Sequence, residues 1–205
     1  MTLGADQLRI RISNALSPIA LPITKVTIAL PFAEAGQNLT GSSGVRTSTL
    51  QTLTFSGNES VIIPNAALIV SDPVNFPIKA QQIITITMYL ATGQATNYIT
   101  SHPGSRTQIW LSNGDYTEAA NMTDVSTVST FHWYFISAVE GWMTPSKSAF
   151  AVVGDSITDG RASYNNANGR WPDLLFTRMQ GYSPTKNIAV VNQAAGYVSS
   201  VTSER

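Results

Sequence analysis

The group in this chain best suited to chemistry is a serine hydroxyl. Ser156 stands in Gly154-Asp155-Ser156-Ile157-Thr158-Asp159-Gly160, directly after a short apolar run at residues 150–153. Such a run reads as a buried parallel strand, and the Gly-Asp-Ser that ends it forces a turn. The hydroxyl then lies at the carboxyl end of a strand, where open α/β sheets keep their ligands. A serine hydroxyl is a poor nucleophile until a base takes its proton. Attack on a carbonyl carbon also needs donors aimed at the oxyanion that develops. Asp155 and Asp159 flank the serine. They have the spacing of metal ligands or, in the commoner use, of acceptors for backbone N–H groups in the turn. The histidines are His102 and His132. His132 falls inside the aromatic run 131–135 and reads as a strand-face residue. His102 precedes Pro103-Gly104 on an expected loop, where it lines a substrate cleft or steadies the turn. Arg161 and Arg170 face an anionic group or, more commonly for loop arginines, solvent. There are no cysteines. That removes a thiolate nucleophile, disulfides and Cys-ligated zinc, and two histidines are too few for a His-rich metal site.

The elements that must position these groups fall into two kinds. Before residue 140 the pattern is one of short strands. Residues 8–12 alternate strictly, and further β-branched or aromatic runs occupy 26–30, 53–55, 61–63, 84–90, 108–111 and 131–136. Alternation with period two puts one face in a core and the other in water. Turn signals separate the runs at Gly57-Asn58, Asp72-Pro73, Pro103-Gly104 and Asn113-Gly114. Seven or more short strands without a helix between them predict a β-sandwich, jelly-roll-like in type. Around residues 141–148, Pro145 and small polar residues suit a linker. After it, the strand at 149–153 leads through an Asn- and Gly-rich loop to a helix. Pro172 sits in its first turn, Asp173 complements its positive end and Gly181 can end it. Trp171, Leu174, Leu175, Phe176 and Met179 recur at helical spacing, so one face packs on a sheet. A second buried strand follows at 187–192. Strand, helix, strand is one βαβ crossover, which leaves a face and an edge of its sheet uncovered. The segment is therefore expected to need the sandwich to lean on.

Composition narrows the function further. The chain has 205 residues, 43% apolar, 12% charged, with a formal net charge of zero. No basic patch is present, so nucleic acid is not an expected partner. No stretch of about 18 apolar residues exists, so no membrane span is expected. The first residues lack a basic region followed by an apolar core, so no secretory signal is read there. Sequons at Asn38, Asn58 and Asn121 occur no more often than chance allows in a chain this rich in Asn, Ser and Thr.

The block around Ser156 resembles the first sequence block of the GDSL or SGNH hydrolases, a family of esterases and lipases, with Ser156 at the nucleophile position. Arg170-Trp171-Pro172 and the helix after it are also similar to family members, as are the stretches 8–14 and 102–105. Asn192-Gln-Ala-Ala-Gly196 resembles the second block, whose glycine N–H helps form the oxyanion hole. The resemblance implies a β-sandwich over residues 1–144, followed over 145–205 by the first βαβ unit of a three-layer α/β/α SGNH hydrolase domain. It implies hydrolysis of carboxylic esters through an acyl-enzyme on Ser156, with Gly196 and the Ser156 N–H as oxyanion donors. Asp155 and His102 are assigned to substrate binding. No metal and no cofactor are required. The substrate class is a small-molecule, lipid or carbohydrate ester, and secretion is implied by the resemblance alone. The family's later blocks, an asparagine in Gly-x-Asn-Asp and a final Asp-x-x-His, do not occur after Ser156, so the chain reads as incomplete and inactive by itself. The reading of a different class is a non-catalytic carbohydrate-binding sandwich in which Trp110, Trp133 and Trp142 stack on sugars.

Overall fold

A computed structural model describes residues 1–196. They form mostly short β-strands in several sheets, with few helices, an arrangement consistent with a β-sandwich. The strand Ala5–Ser13 is the spine of the larger sheet. Leu8, Ile10 and Ile12 are fully buried, while Arg9 and Arg11 point the other way, as the strict alternation requires. The strand pairs antiparallel with Ile136–Gly141 along one edge. Its other edge is shared by Leu68–Val70 and Val74–Ile78. The pairing with Val74–Ile78 slips between Ala5 and Gln7, beside Pro77, which has no N–H to give to the ladder. A second sheet sets Lys25–Ala29 between Thr85–Tyr89 and Gln51–Thr52. Side chains from both sheets, Ile10, Ile12, Val26, Ile28 and Phe76 among them, meet in one core.

Two of the expected strands differ. Residues 53–55 are not a strand. Leu53 and Phe55 are buried in the core, but Phe55 and Asn58 bridge across a tight turn in which Ser56 and Gly57 both take positive φ, 54° and 83°. That is the handedness a two-residue hairpin turn prefers. The Asp72 carboxylate accepts the N–H groups of Ser56 and Gly57 and the Thr54 hydroxyl, which fixes the turn. The run 131–136 breaks in two at Phe135, whose φ is 63°. Trp133–Tyr134 pairs with Ser101–His102, whereas Ile136–Gly141 pairs with the spine. Phe135 is where the chain changes partner: its N–H goes to Thr100 and its carbonyl accepts from Ser13.

After residues 142–147 comes a smaller unit. Ser148–Val152 pairs in parallel with Ile188–Asn192, and the helix Trp171–Gln180 lies between them in sequence. The helix starts with Arg170 donating its N–H to the Asp173 carboxylate and ends at Gly181. Both strands were expected to be buried and are not. Val152 and Val190 are buried, but Phe150 is 48% exposed and Val153 80% exposed. A sheet of two strands covered by one helix has only one dry face. The same shortage of cover leaves Trp171 and Leu174 exposed on the helix, while Phe176 packs inward on Val152, Val190 and Leu3. No helix among the described residues is long and apolar enough to cross a membrane.

Candidate functional site

The parallel pairing brings the two motif segments to one end of the small sheet. Gln193 donates its N–H to the Val152 carbonyl at 2.8 Å and Ala195 to the Gly154 carbonyl at 3.1 Å, so residues 193–196 run beside the turn that carries Ser156. Asp155 is extended and its carboxylate accepts the Ile157 N–H at 3.0 Å, capping the single helical turn Ser156–Asp159. Ser156 is the first residue of that turn and is half-buried. Its N–H therefore has no intrahelical partner. Its hydroxyl has no hydrogen-bond partner among the described residues.

Asp159 ends the turn, three residues after Ser156, a spacing that puts both side chains on the same side of a helix. Its side chain is buried and fully engaged. Oδ1 accepts from His102 Nε2 at 2.8 Å, and Oδ2 accepts from the Gly196 N–H at 3.1 Å. The approach is close enough that a methyl group on Gly104 or Gly196 would stand 2.7 or 2.4 Å from Oδ2. Arg170 holds the same place from the other side. Its Nε donates to the Asp159 carbonyl at 2.8 Å, and its Nη2 donates to the Ser105 carbonyl. Carbonyls of the strand-rich part and of the serine turn thus share one guanidinium, whose rigid fork of donors suits such a junction.

The fold brings Ser156, His102 and Gly196 of the expected site around Asp159. His102 sits at the end of the short strand Ser101–His102 rather than on a loop. Asp155 lies at the turn, exposed, with its carboxylate on a backbone N–H. His132 is elsewhere, exposed, with its ring 6.5 Å from that of Tyr134. The role of Asp159 as the shared acceptor of His102 and Gly196 was not read from the sequence, although its i, i+3 relation to Ser156 was a usable signal. Arg170 is not a solvated loop residue: its side chain is 15% exposed. Among the described residues no group of three or more His, Asp or Glu side chains could hold a metal ion.

A second feature lies where the serine loop meets the strand-rich part. A cavity of about 440 Å³ is lined by residues from the segment between Phe32 and Gly44, among them Glu34, Gln37 and Asn38, and by Gln108, Trp110, Asn121 and Asn166. The chain matches no family model, and no curated protein matches it.

Proposed function

We propose that this chain carries the nucleophile, Ser156, of a serine ester hydrolase of the SGNH kind, and that with no base bonded to that hydroxyl among the described residues it turns over esters negligibly by itself. One observation carries the reading: the carboxyl ends of two parallel strands set Gly154 against Ala195 at 3.1 Å and hold Gly196 on the turn that starts at a half-buried serine. In the proposed reaction Ser156 Oγ bonds to the acyl carbon and the ester C–O bond breaks. The serine proton ends on the departing alcohol. Water then cleaves the acyl-enzyme and restores the hydroxyl. The oxyanion is met by the Ser156 N–H and by the Gly196 N–H, which exchanges Asp159 for the substrate oxygen at that moment. His102, held by Asp159, lines the substrate side of the turn. The resemblance of the residues around Ser156 to secreted esterases makes secretion part of the proposal.

The test is covalent labelling of the full chain by a fluorophosphonate, with the modified peptide identified by mass spectrometry. Slow label, with negligible turnover of aryl acetate esters, is expected on Ser156 in the folded chain, and none on any serine of the urea-denatured chain. Ser156→Ala removes the label and leaves the melting temperature within about 1 °C, because the hydroxyl makes no hydrogen bond that folding depends on. A folded chain in which Ser156 stays unlabelled defeats the proposal. In that case a non-catalytic sandwich becomes the better reading, favoured by Trp142, which is 77% exposed.

A further inference from the structure

The cavity between residues 32–44 and Trp110 is built like a binding site, and its lining says for what. No lysine or arginine lines it, and the one charge is Glu34, which is in no ion pair among the described residues. An anion such as phosphate has nothing there to meet it. One carboxylate is too few for a metal ion. The remaining chemistry is neutral. The Gln37 backbone N–H goes to the Glu34 carbonyl, and its side chain has no hydrogen-bond partner among the described residues. Gln108 Nε2 and Asn121 Nδ2 likewise have none, although the oxygens of both side chains are in use. Beside these donors stand two rings, Phe32, which is 49% exposed, and Trp110. Amides that both donate and accept, next to aromatic faces, match a ligand whose hydroxyls do the same and whose C–H faces are apolar.

The lining is also held in place. Trp110 donates its Nε1–H to the Gly41 carbonyl at 2.9 Å, which fixes the plane of the indole. Asn166 forms the floor with four hydrogen bonds. Its N–H goes to the Arg106 carbonyl and its carbonyl accepts from Asn38; its side chain pairs twice with Gln108, once with the backbone N–H and once with the amide oxygen. Groups fixed in this way lose little freedom when a ligand arrives. The volume falls within the range of small-molecule sites, about 300–1,000 Å³. Asn166 belongs to the loop that leaves the serine turn at Gly160, so the floor of the cavity and the proposed nucleophile share one segment.

We infer that this cavity binds a neutral carbohydrate, independently of the hydrolase reading. The experiment uses the full chain and three neutral probes, cellohexaose, xylohexaose and N-acetylchitohexaose, titrated by saturation-transfer NMR. Phosphatidylcholine vesicles and inorganic phosphate are the comparison arms. At least one saccharide is expected to bind, and neither comparison ligand. The pair Gln37→Ala and Asn121→Ala is expected to weaken binding about tenfold, the loss of two hydrogen bonds. Trp110→Phe, which removes the bond to Gly41, weakens it as well; should that variant misfold, the amide pair decides. Binding of none of the three saccharides overturns the inference, as does binding that the amide pair leaves unchanged. A chain that takes the fluorophosphonate on Ser156 but binds no saccharide sinks the cavity and spares the hydrolase. A chain that binds saccharide with an unreactive Ser156 does the reverse.

Discussion

At the scale of single residues, Asp159 is the point on which the serine turn is fixed. It is buried, and its two carboxylate oxygens take a ring N–H from the strand-rich part and a backbone N–H from the end of the small sheet. Removing the carboxylate leaves the Gly196 N–H and the His102 ring without their acceptor. Such losses cost about 2–4 kcal/mol where the group is buried. Asp159→Ala is therefore expected to lower the melting temperature by many degrees. His102→Ala is expected to cost about 1 kcal/mol, since the His102 side chain is 41% exposed and water screens its half of the pair. Equal losses for the two variants, measured by urea denaturation, would show that Asp159 has no importance beyond the one contact with His102. The sequence made Ser156, His102 and Gly196 visible because each sits in a distinctive local string. Asp159 and Arg170 were read as ordinary turn and loop residues because their partners lie far away in the chain. His102 is 57 residues from Asp159, and Ser105 is 65 from Arg170.

At the scale of elements, the turn at residues 55–58 shows how a polar side chain can decide what a hydrophobic run becomes. Alternation alone made 53–55 a strand. The Asp72 carboxylate, which bonds the far side of the turn, is 15 to 18 residues away and has no local signature. The strand at 8–12 was legible because nothing competes with its alternation. The break at Phe135 was not, because it follows from a change of pairing partner and not from the residue. Asp72 also makes the turn sensitive to acid. The Gly57 N–H, then the Thr54 hydroxyl and the Ser56 N–H, hold its carboxyl below the usual carboxylate value, against a partial opposing effect of desolvation. A carboxyl depressed in the folded state binds protons more readily when unfolded. Its contribution is thus complete above the unfolded value of about 3.9 and is lost as pH falls through the lower folded value. Asp72→Asn is expected to be less stable than the parent at pH 7 and to show a shallower loss between about pH 4 and pH 2. Parallel stability–pH curves for the two proteins would remove Asp72 from the acid response.

At the scale of the whole molecule, two packed clusters of unequal size are tied by a few long-range contacts. The strand-rich part buries thirteen apolar residues in one cluster; the smaller unit buries four, one of them Leu3 from the amino-terminal end. The sequence indicated that a lone strand–helix–strand unit cannot cover its own sheet. It could not indicate what the unit leans on, because those contacts are set by tertiary placement. Among them are the Gln81–Thr177 hydrogen bond at 2.6 Å, the His102–Asp159 pair, Asn166 on Asn38, Arg106 and Gln108, and the Arg170 guanidinium on Ser105. Phe150, Val153, Ile157, Trp171 and Leu174 remain exposed on the small unit, an apolar surface that water meets directly. Local opening costs least where few apolar contacts hold a unit, so residues 148–196 are expected to open before the strand-rich part does. Trypsin should cut at Arg178 or Lys186 first, leaving a resistant fragment that ends near residue 147. Arg170→Ala removes the guanidinium that joins Asp159 to Ser105. It should speed those first cuts about tenfold or more, in line with a loss of 1.5–3 kcal/mol for hydrogen bonds to a charged group. The resistant fragment should survive as long as it does in the parent. Cutting at equal rates in both parts, or first cuts that Arg170→Ala does not change, would mean that the molecule opens as one cooperative body and that the guanidinium is not what holds the serine turn in place.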